Sequence, residues 1–497
     1  MKHLAQKNVL VLGLGLSGLA LARWCARWGA QVTVADTRQA PPQLQVLQDA
    51  VPLATFVSSE MNEALLGAAD FDLVLKSPGL SPASVAPVMN AAQARGVVCG
   101  NELSLFAQAL ADLKESQGYA PKVIGITGTN GKTTVTSLTG QLVQRAGNSV
   151  AVAGNIGPTL LDTLAEKLDA QVFPEVWVLE LSSFQLDQVN NFEPSVATIL
   201  NITQDHLDWH ETMSAYMAAK SRVYGSQGLM LLNRDDARVM SGLPPLVKGK
   251  QLREYLTFGS DEPQRPGDYG IETVNGMAWL VRAAEADETI KRRKDEEITL
   301  HVQRLMPVDA LRIRGRHNAS NALAALALAV AAGCGMAPML HGLREYKGEP
   351  HRVESVAVIH DVEYFDDSKG TNVGATVAAL AGLGAERKLV VILGGEGKGQ
   401  DFSPLADPVA RHARAVILIG RDAPLIRAAL EGTGVALLDA QAMPAAVLLA
   451  SQQARTGDAV LMSPACASFD MFENYEHRAQ VFCQAVNELA QDAGVVS

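Results

Sequence analysis

Several things are scarce in this sequence, and each scarcity excludes something. Five cysteines occur in 497 residues: Cys25, Cys99, Cys334, Cys466 and Cys483. They are scattered and form no C-x-x-C pair, which argues against a disulfide framework or a zinc site and for reduced thiols. No stretch approaches the ~18 uninterrupted apolar residues of a membrane span. The longest Ala/Leu-rich segment, Ala322 to Ala332, reads as a buried helix. The opening MKHLAQKNVLVLGLG enters a strand pattern and shows no signal-like apolar region with a cleavage site. A cytoplasmic protein without membrane insertion is therefore expected. A basic surplus is also missing. Lys and Arg number 42 against 53 Asp and Glu, a formal charge of −11. That argues against nucleic acid as a partner, because phosphate-backbone binding needs a basic surface. It leaves room for a local basic pocket.

What is present is apolar enough for about three domains, each with its own core. The chain is organised around Gly125-Ile-Thr-Gly-Thr-Asn-Gly-Lys-Thr-Thr134. An apolar pair, Val123-Ile124, precedes it, and an apolar-periodic segment, Val135 to Val143, follows. That order reads as strand, glycine loop, helix. Gly128 and Gly131 allow backbone N–H groups to point inward, and the helix start adds its unpaired donors. Lys132 is placed to reach β/γ-phosphates, and the Thr133 hydroxyl to ligate Mg²⁺. The strict P-loop pattern requires glycine at 126, where this chain has Ile126. The outer glycine is read one place earlier, at Gly125.

The N-terminal part carries Gly13-x-Gly15-x-x-Gly18 between the strands Val9–Leu12 and Val32–Ala35, with Asp36 after the second. This is a dinucleotide fingerprint, and a hydride-transfer domain is one reading of it. Any doubly wound domain with a phosphate ligand is another. Arg38 is suited to pair with a phosphate. A further strand, Leu73–Leu75, ends at Ser77-Pro-Gly79. The domain is expected to span 1–118, with Glu115 to Pro121 as a polar linker.

A middle domain is expected over 119–347. The buried strand Val176–Leu179 ends on Glu180, where a Mg²⁺ ligand or water-orienting group sits in P-loop proteins. The strand Val196–Leu200 leads to His206. Lys220 falls on a helical stretch, and spacing alone reads it as a solvated lysine. Between 261 and 311 the pattern becomes polar, with a charge run at 291–297 that suggests a solvated hairpin or insertion. His317, Asn318 and Asn321 cluster at the start of the next helix, as caps or as contacts. A third domain, 348–497, shows strands ending in Asp366-Asp-Ser-Lys369-Gly-Thr-Asn372, Gly394-Gly-Glu-Gly-Lys398 and Ser463 to Tyr475. Three such loops suit an acidic small molecule, with Lys369 and Lys398 as candidate cations.

Taken together, GITGTNGKTT (125–134), ELSSFQL (180–186), NITQDHLD (201–208), GRHNASNALAA (315–325), HR (351–352), DDSKGTN (366–372), LGGEGKGQDF (393–402) and SPACASFD (463–470) resemble the Mur ligases. DTR (36–38), DDSKGTN and SPACASFD are similar to the D-glutamate-adding branch. The resemblance implies an α/β protein of three domains: Rossmann-like at the N-terminus, P-loop ATPase-like in the centre, Rossmann-like at the C-terminus. It implies ATP-dependent addition of D-glutamate to UDP-N-acetylmuramoyl-L-alanine through an acyl phosphate, in peptidoglycan precursor synthesis, by a monomer using ATP and two Mg²⁺. By motif, Leu16, Ser17, Thr37, Arg38, Ser77, Asn155 and Gln185 would line the UDP-sugar site. Gly128, Thr129, Asn130, Gly131, Lys132, Thr133 and Thr134 would hold ATP with Asn321, Arg352 and Asp367. Thr371, Lys398, Ser468 and Tyr475 would hold D-glutamate. Thr133, Glu180, His206 and Lys220, the last as a carbamate, would hold metal, and Lys132, Glu180, His206 and Lys220 would serve catalysis. Tyr475 departs from the family, where Phe is often seen. The alternatives are another Mur- or folylpolyglutamate-type ligase and, from a different class, a nucleotide-binding oxidoreductase or regulatory ATPase.

Overall fold

The computed structural model describes residues 1–67, 69–285, 299–385 and 387–495. The charge run at 291–297 lies outside the described residues. The chain forms two compact units. The first takes in 1–202, 206–258 and 324–339; the second takes in 203–205, 259–323 and 340–497.

The first unit holds two parallel arrays. One contains β1 (Asn8–Leu12), β2 (Gln31–Asp36), β3 (Thr55–Ser58), β4 (Leu73–Lys76) and β5 (Val98–Gly100), in the order β3-β2-β1-β4-β5. The other contains β6 (Lys122–Thr127), β7 (Val150–Gly154), β8 (Val176–Glu180), β9 (Val196–Ile199), β10 (Leu229–Asn233) and β11 (Tyr255–Phe258), in the order β11-β10-β9-β6-β8-β7. The central strands are continuous apolar runs because helices cover both faces; every residue of β8 is buried.

Among the helices of this unit are α1 (Leu16–Arg27), α2 (Glu102–Gln117), α3 (Lys132–Arg145) and α4 (Leu160–Ala170). Leu19, Trp24, Phe106, Leu160, Leu164 and Trp177 join one core that serves both arrays. Phe106 meets Trp177 edge-on at 5.1 Å, a geometry worth about 1 kcal/mol beyond area burial. The stretch 115–121 is not a slack linker. Residues 115–117 complete α2, and Gly118 ends it in the left-handed conformation at φ 70°. The Tyr119 hydroxyl then donates to Pro174 O at 2.7 Å and accepts from Trp177 Nε1 at 2.8 Å.

Strand order places the ligand loops. β6 comes first in its array yet lies between β8 and β9. The winding direction therefore reverses beside β6, which opens a crevice past the strand C-termini. β1 lies between β2 and β4 in the same way.

The second unit contains an antiparallel meander, β12 (Tyr269–Val274), β13 (Met277–Glu285) and β14 (Leu300–Pro307), with a register shift between Leu280 and Val281. Within the polar stretch 261–311, the described residues 269–285 and 300–307 form this meander. A further sheet has the order β15-β16-β20-β17-β18-β19: β15 (Glu354–Ile359), β16 (Val362–Asp366), β17 (Leu389–Gly394), β18 (Ala413–Ile419), β19 (Ala436–Asp439) and β20 (Ala459–Met462). β15 and β16 form a hairpin, and the other pairs are parallel. Alternation along the strands builds two cores. Phe365, Leu393 and Leu461 enter one, while Tyr364, Ile392 and Val460 enter the other. No helix among the described residues is long and apolar enough to cross a membrane.

Candidate active site

The glycine loop begins later than its sequence pattern suggests. Gly125 lies inside β6, where an added Cβ would come within 3.0 Å of Val223 and 3.3 Å of Phe192. It serves packing, not phosphate contact. The loop proper is Gly128-Thr-Asn-Gly131. Gly131 takes φ 82° as the cap of α3, a conformation that favours glycine. Asn201, at the end of the neighbouring β9, fixes the loop. Its side chain accepts from Asn130 N at 2.8 Å and donates to Asn130 O at 3.1 Å, and its carbonyl accepts from Thr129 N at 2.9 Å. Sequence reading missed Asn201 as a site residue, although the motif NITQDHLD begins with it. Thr133 and Thr134 follow Lys132 in the first turn of α3.

Two lysines converge on this loop. Lys132 Nζ donates to Gly128 O at 2.9 Å and Thr129 O at 2.8 Å. Lys220 Nζ donates to the same Gly128 O at 2.8 Å and lies 3.3 Å from Thr127 Oγ1. Lys220 is only 1% exposed, so its reading as a solvated surface lysine is overturned. Helix α5 (Met213–Ser221) ends beside β6 and turns this side chain inward, over the Tyr216 ring at 4.7 Å. The Tyr216 hydroxyl in turn bonds Thr129 Oγ1 at 3.0 Å.

Register brings Glu180 to the same place. It pairs with Ile126 across β6 and β8 and is 3% exposed. Asn155 Nδ2 donates to Glu180 Oε1 at 3.1 Å, and Asn155 N donates to Glu180 O at 2.8 Å. His206 sits at φ 54° before the helical turn Leu207–His210, exposed, with its ring 4.8 Å from Phe184.

Behind this cluster lies a residue that sequence reading passed over. His210 is buried, with Nε2 2.8 Å from Ser183 Oγ. Burial, with the nearby Lys220, His206 and Lys76 charges, pushes its pKa down to about 4, so it is neutral at pH 7. The same region contains Trp209, over which Lys76 Nζ sits at 4.7 Å.

In the first array the glycine fingerprint divides its labour. An added Cβ at Gly18 would fall 1.9 Å from Gly13 O, so only glycine lets α1 approach β1. Gly15 has nothing within 4 Å of that position and leaves the backbone open to a ligand. Ser77 Oγ donates to Gly13 O at 2.8 Å and pins the turn. Asp36 is 3% exposed. It accepts from Leu14 N at 2.7 Å, from Arg38 N and Nε at 2.9 Å each, and from another Arg38 nitrogen at 2.8 Å. The Arg38 side-chain bond holds the Asp36 carboxyl well below the usual range, at about 2. Both carboxylate oxygens are thus engaged within the protein, whereas a nicotinamide site would offer them to a ribose. Thr37 and Leu16 are exposed beside this turn, Ser17 is half-buried, and Gln185 caps its helical turn with Ser182.

The second unit gathers the remaining predicted residues. Asp367 is buried, accepts from Ser463 Oγ at 2.6 Å, and is pushed up to about 7 by burial, against the pull of the Ser463 bond and of Arg352. Asn321 Nδ2 donates to Asn318 Oδ1 at 3.1 Å near the start of α6 (Arg316–Ala331). His317 instead packs on Gly382, where an added Cβ would lie 2.5 Å from its Nδ1. Tyr475 opens α7 (Tyr475–Asp492), and Lys369 Nζ covers its ring at 3.6 Å. Lys398, at φ 52°, lies over Phe469 at 5.8 Å, next to the buried Ser468. Thr371 N donates to Lys369 O at 2.9 Å.

Family comparison now separates the readings. The model for the Mur ligase middle domain matches residues 126–329. That for the Mur ligase MurD-like N-terminal domain matches 7–100, and that for the Mur ligase glutamate ligase domain matches 351–466. The chain belongs to the Mur ligase family. It is 67% identical to the UDP-N-acetylmuramoylalanine–D-glutamate ligase of Albidiferax ferrireducens, covering 99% of this chain and 98% of the relative. It is 58% identical to the ligase of that name from Burkholderia pseudomallei, covering 98% of each. The crystal structure of MurF ligase from Thermotoga maritima in complex with ADP aligns over 99% of this chain and 97% of its own, with a TM-score of 0.57 and 16% identity. That last likeness is one of fold.

Proposed function

We propose that this Mur ligase couples ATP hydrolysis to amide formation between UDP-N-acetylmuramoyl-L-alanine and D-glutamate. The observation that carries this is the loop Gly128-Thr-Asn-Gly131 at the N-terminus of α3, with Lys132 folded over it to donate to Gly128 O and Thr129 O. Joining a carboxylate to a triphosphate brings two anions together, and that needs concentrated positive charge. Lys132 and the α3 N-terminus supply it. The high identity to named D-glutamate ligases over the full chain supports the choice of substrates.

In this reading the γ-phosphoryl group passes to the alanyl carboxylate, giving an acyl phosphate and ADP. The D-glutamate amine attacks the acyl carbon, and phosphate leaves. The turn around Gly15, with Leu16, Ser17, Thr37 and Arg38, holds the sugar nucleotide, and Asn155 and Gln185 guide its muramoyl end. Arg38 is pre-oriented for phosphate by Asp36. Asn321, Arg352 and Asp367 contact ATP. Thr371, Lys398, Ser468 and Tyr475 hold D-glutamate, with Lys398 as a cation for its carboxylates. Thr133 and Glu180 offer hard oxygen donors that suit Mg²⁺. With His206 and a carbamate on Lys220 they would hold it. The ion would supply Lewis-acid stabilisation of phosphate charge. Carbamylation replaces the Lys220 cation by an anion, which suits a buried position beside a metal.

The test is phosphate release by the purified protein with ATP and Mg²⁺, omitting each substrate in turn. Release that requires both substrates, selects D- over L-glutamate, and yields the amide by mass is the expected result. Release without the sugar nucleotide, or with diaminopimelate in place of D-glutamate, would reject the assignment.

A further inference from the structure

Thr129 is the second residue of the phosphate loop, and each of its polar groups has a partner in the protein. Its N–H donates to Asn201 O at 2.9 Å, and its carbonyl accepts from Lys132 Nζ at 2.8 Å. Its hydroxyl lies 3.0 Å from the Tyr216 hydroxyl, a buried pair in which either oxygen can donate. The first two partners belong to the motifs that mark the site. The third comes from α5, 87 residues along the chain, and the chemistry above does not use it. Tyr216 is 1% exposed. It stands four residues before Lys220, so the two side chains leave the same face of the helix. Lys220 Nζ rests over its ring at 4.7 Å, and the His210 ring flanks it at 5.2 Å. Those neighbours hold the ring and aim its hydroxyl at one atom of the loop.

Threonine is branched at Cβ, and its rotamer is coupled to its own backbone angles. A bond to Oγ1 therefore selects a rotamer, and with it the orientation of the peptides on either side. Those peptides form the turn that aims N–H groups at a phosphate. We propose that Tyr216 is a positioning residue for nucleotide binding: through the Thr129 hydroxyl it holds the phosphate loop in its anion-receiving form before the nucleotide arrives. This rests on the nucleotide reading of the loop. Without the bond, the loop must be ordered at the moment of binding, and that ordering costs affinity.

The experiment is a double-mutant cycle on the full chain. Its readout is the calorimetric Kd of the nonhydrolysable β,γ-imido analogue of ATP with Mg²⁺, without the other substrates. Tyr216→Phe keeps the ring and loses the bond, and Thr129→Val keeps the shape of the other partner. Each alone is expected to weaken the Kd on the order of fivefold, the worth of one neutral hydrogen bond. The double variant is also expected to lose only about fivefold, because both changes remove the same bond. A role in packing alone would lower the melting temperature and leave the Kd of Tyr216→Phe at the wild-type value, which would overturn the proposal. So would a double variant weakened about twenty-five-fold, the product of two independent losses. Should Tyr216→Phe not fold, Thr129→Val carries the test, and a wild-type Kd in it would overturn the proposal. A wild-type chain that binds no nucleotide would overturn the reading of the loop and this inference with it. One that binds nucleotide but forms no amide would reject the function proposed above and leave the cycle to decide this inference.

Discussion

Two glycines three residues apart are expected to fail in different ways when replaced by alanine. At Gly18 the new Cβ would stand 1.9 Å from Gly13 O and 2.8 Å from Ser77 Oγ. Side-chain carbons are essentially never closer than 3.0 Å to such an atom, so α1 must retreat from β1 by roughly 1 Å. Overpacking of that kind costs about 1–3 kcal/mol. The retreat also carries the first N–H groups of α1 away from the ligand, and a displacement near 1 Å can cost about 100-fold in a positioned reaction. Gly15 has φ −94° and nothing within 4 Å of its Cβ position. Gly15→Ala should therefore fold with an unchanged melting temperature, and lose affinity only through the methyl group's clash with a closely approaching diphosphate. Thermal unfolding and calorimetric titration with UDP-N-acetylmuramoyl-L-alanine measure the two effects separately. Wild-type stability in Gly18→Ala, or wild-type affinity in both variants, would refute the division of roles.

Lys132→Ala should abolish ligation while sugar-nucleotide affinity stays within about twofold; unchanged turnover would remove the P-loop from the mechanism. Lys220→Ala should lose activity that added short carboxylates partly restore; undiminished activity would rule out a carbamate. Asp36→Asn should lower stability at pH 7. The wild-type carboxyl is depressed from 3.8 to about 2, a shift of about 2 kcal/mol before screening of its half-exposed partner Arg38 and about 1 kcal/mol after it. Because the folded pKa is the lower one, that stability is present above pH 3.8 and is lost as pH falls toward 2. The gap between variant and wild-type melting temperatures should therefore close in acid, and a constant gap would contradict the Asp36–Arg38 pairing as its cause.

Much of this was legible from residue order. The apolar runs at Val9–Leu12, Val176–Leu179 and Val196–Leu200 are strands because buried parallel strands have no polar face to display. The short strands β3, β5 and β19 went unread, since their half-exposed residues carry no such run. Lys220 was misread for a definite reason. A helical spacing gives a residue's phase but not which neighbour covers it, and β6 covers this one. Gly125 was assigned to the loop because a motif counts residues and cannot say where a strand ends. Asn201 was missed because its contacts with Thr129 and Asn130 are made across a long sequence separation.

The parallel ladders around β6 index the site to within one residue. Ile126 stands opposite Glu180 on one side, and Thr127 opposite Ile199 on the other. Side chains alternate along a strand, so deleting one residue within β8 would turn Glu180 to the opposite face of the sheet. No adjustment of the following loop could restore it. Length changes in the meander β12–β14 shift none of these partners. Drift in chain length among relatives should therefore collect in that meander, while the four ladder partners hold their spacing.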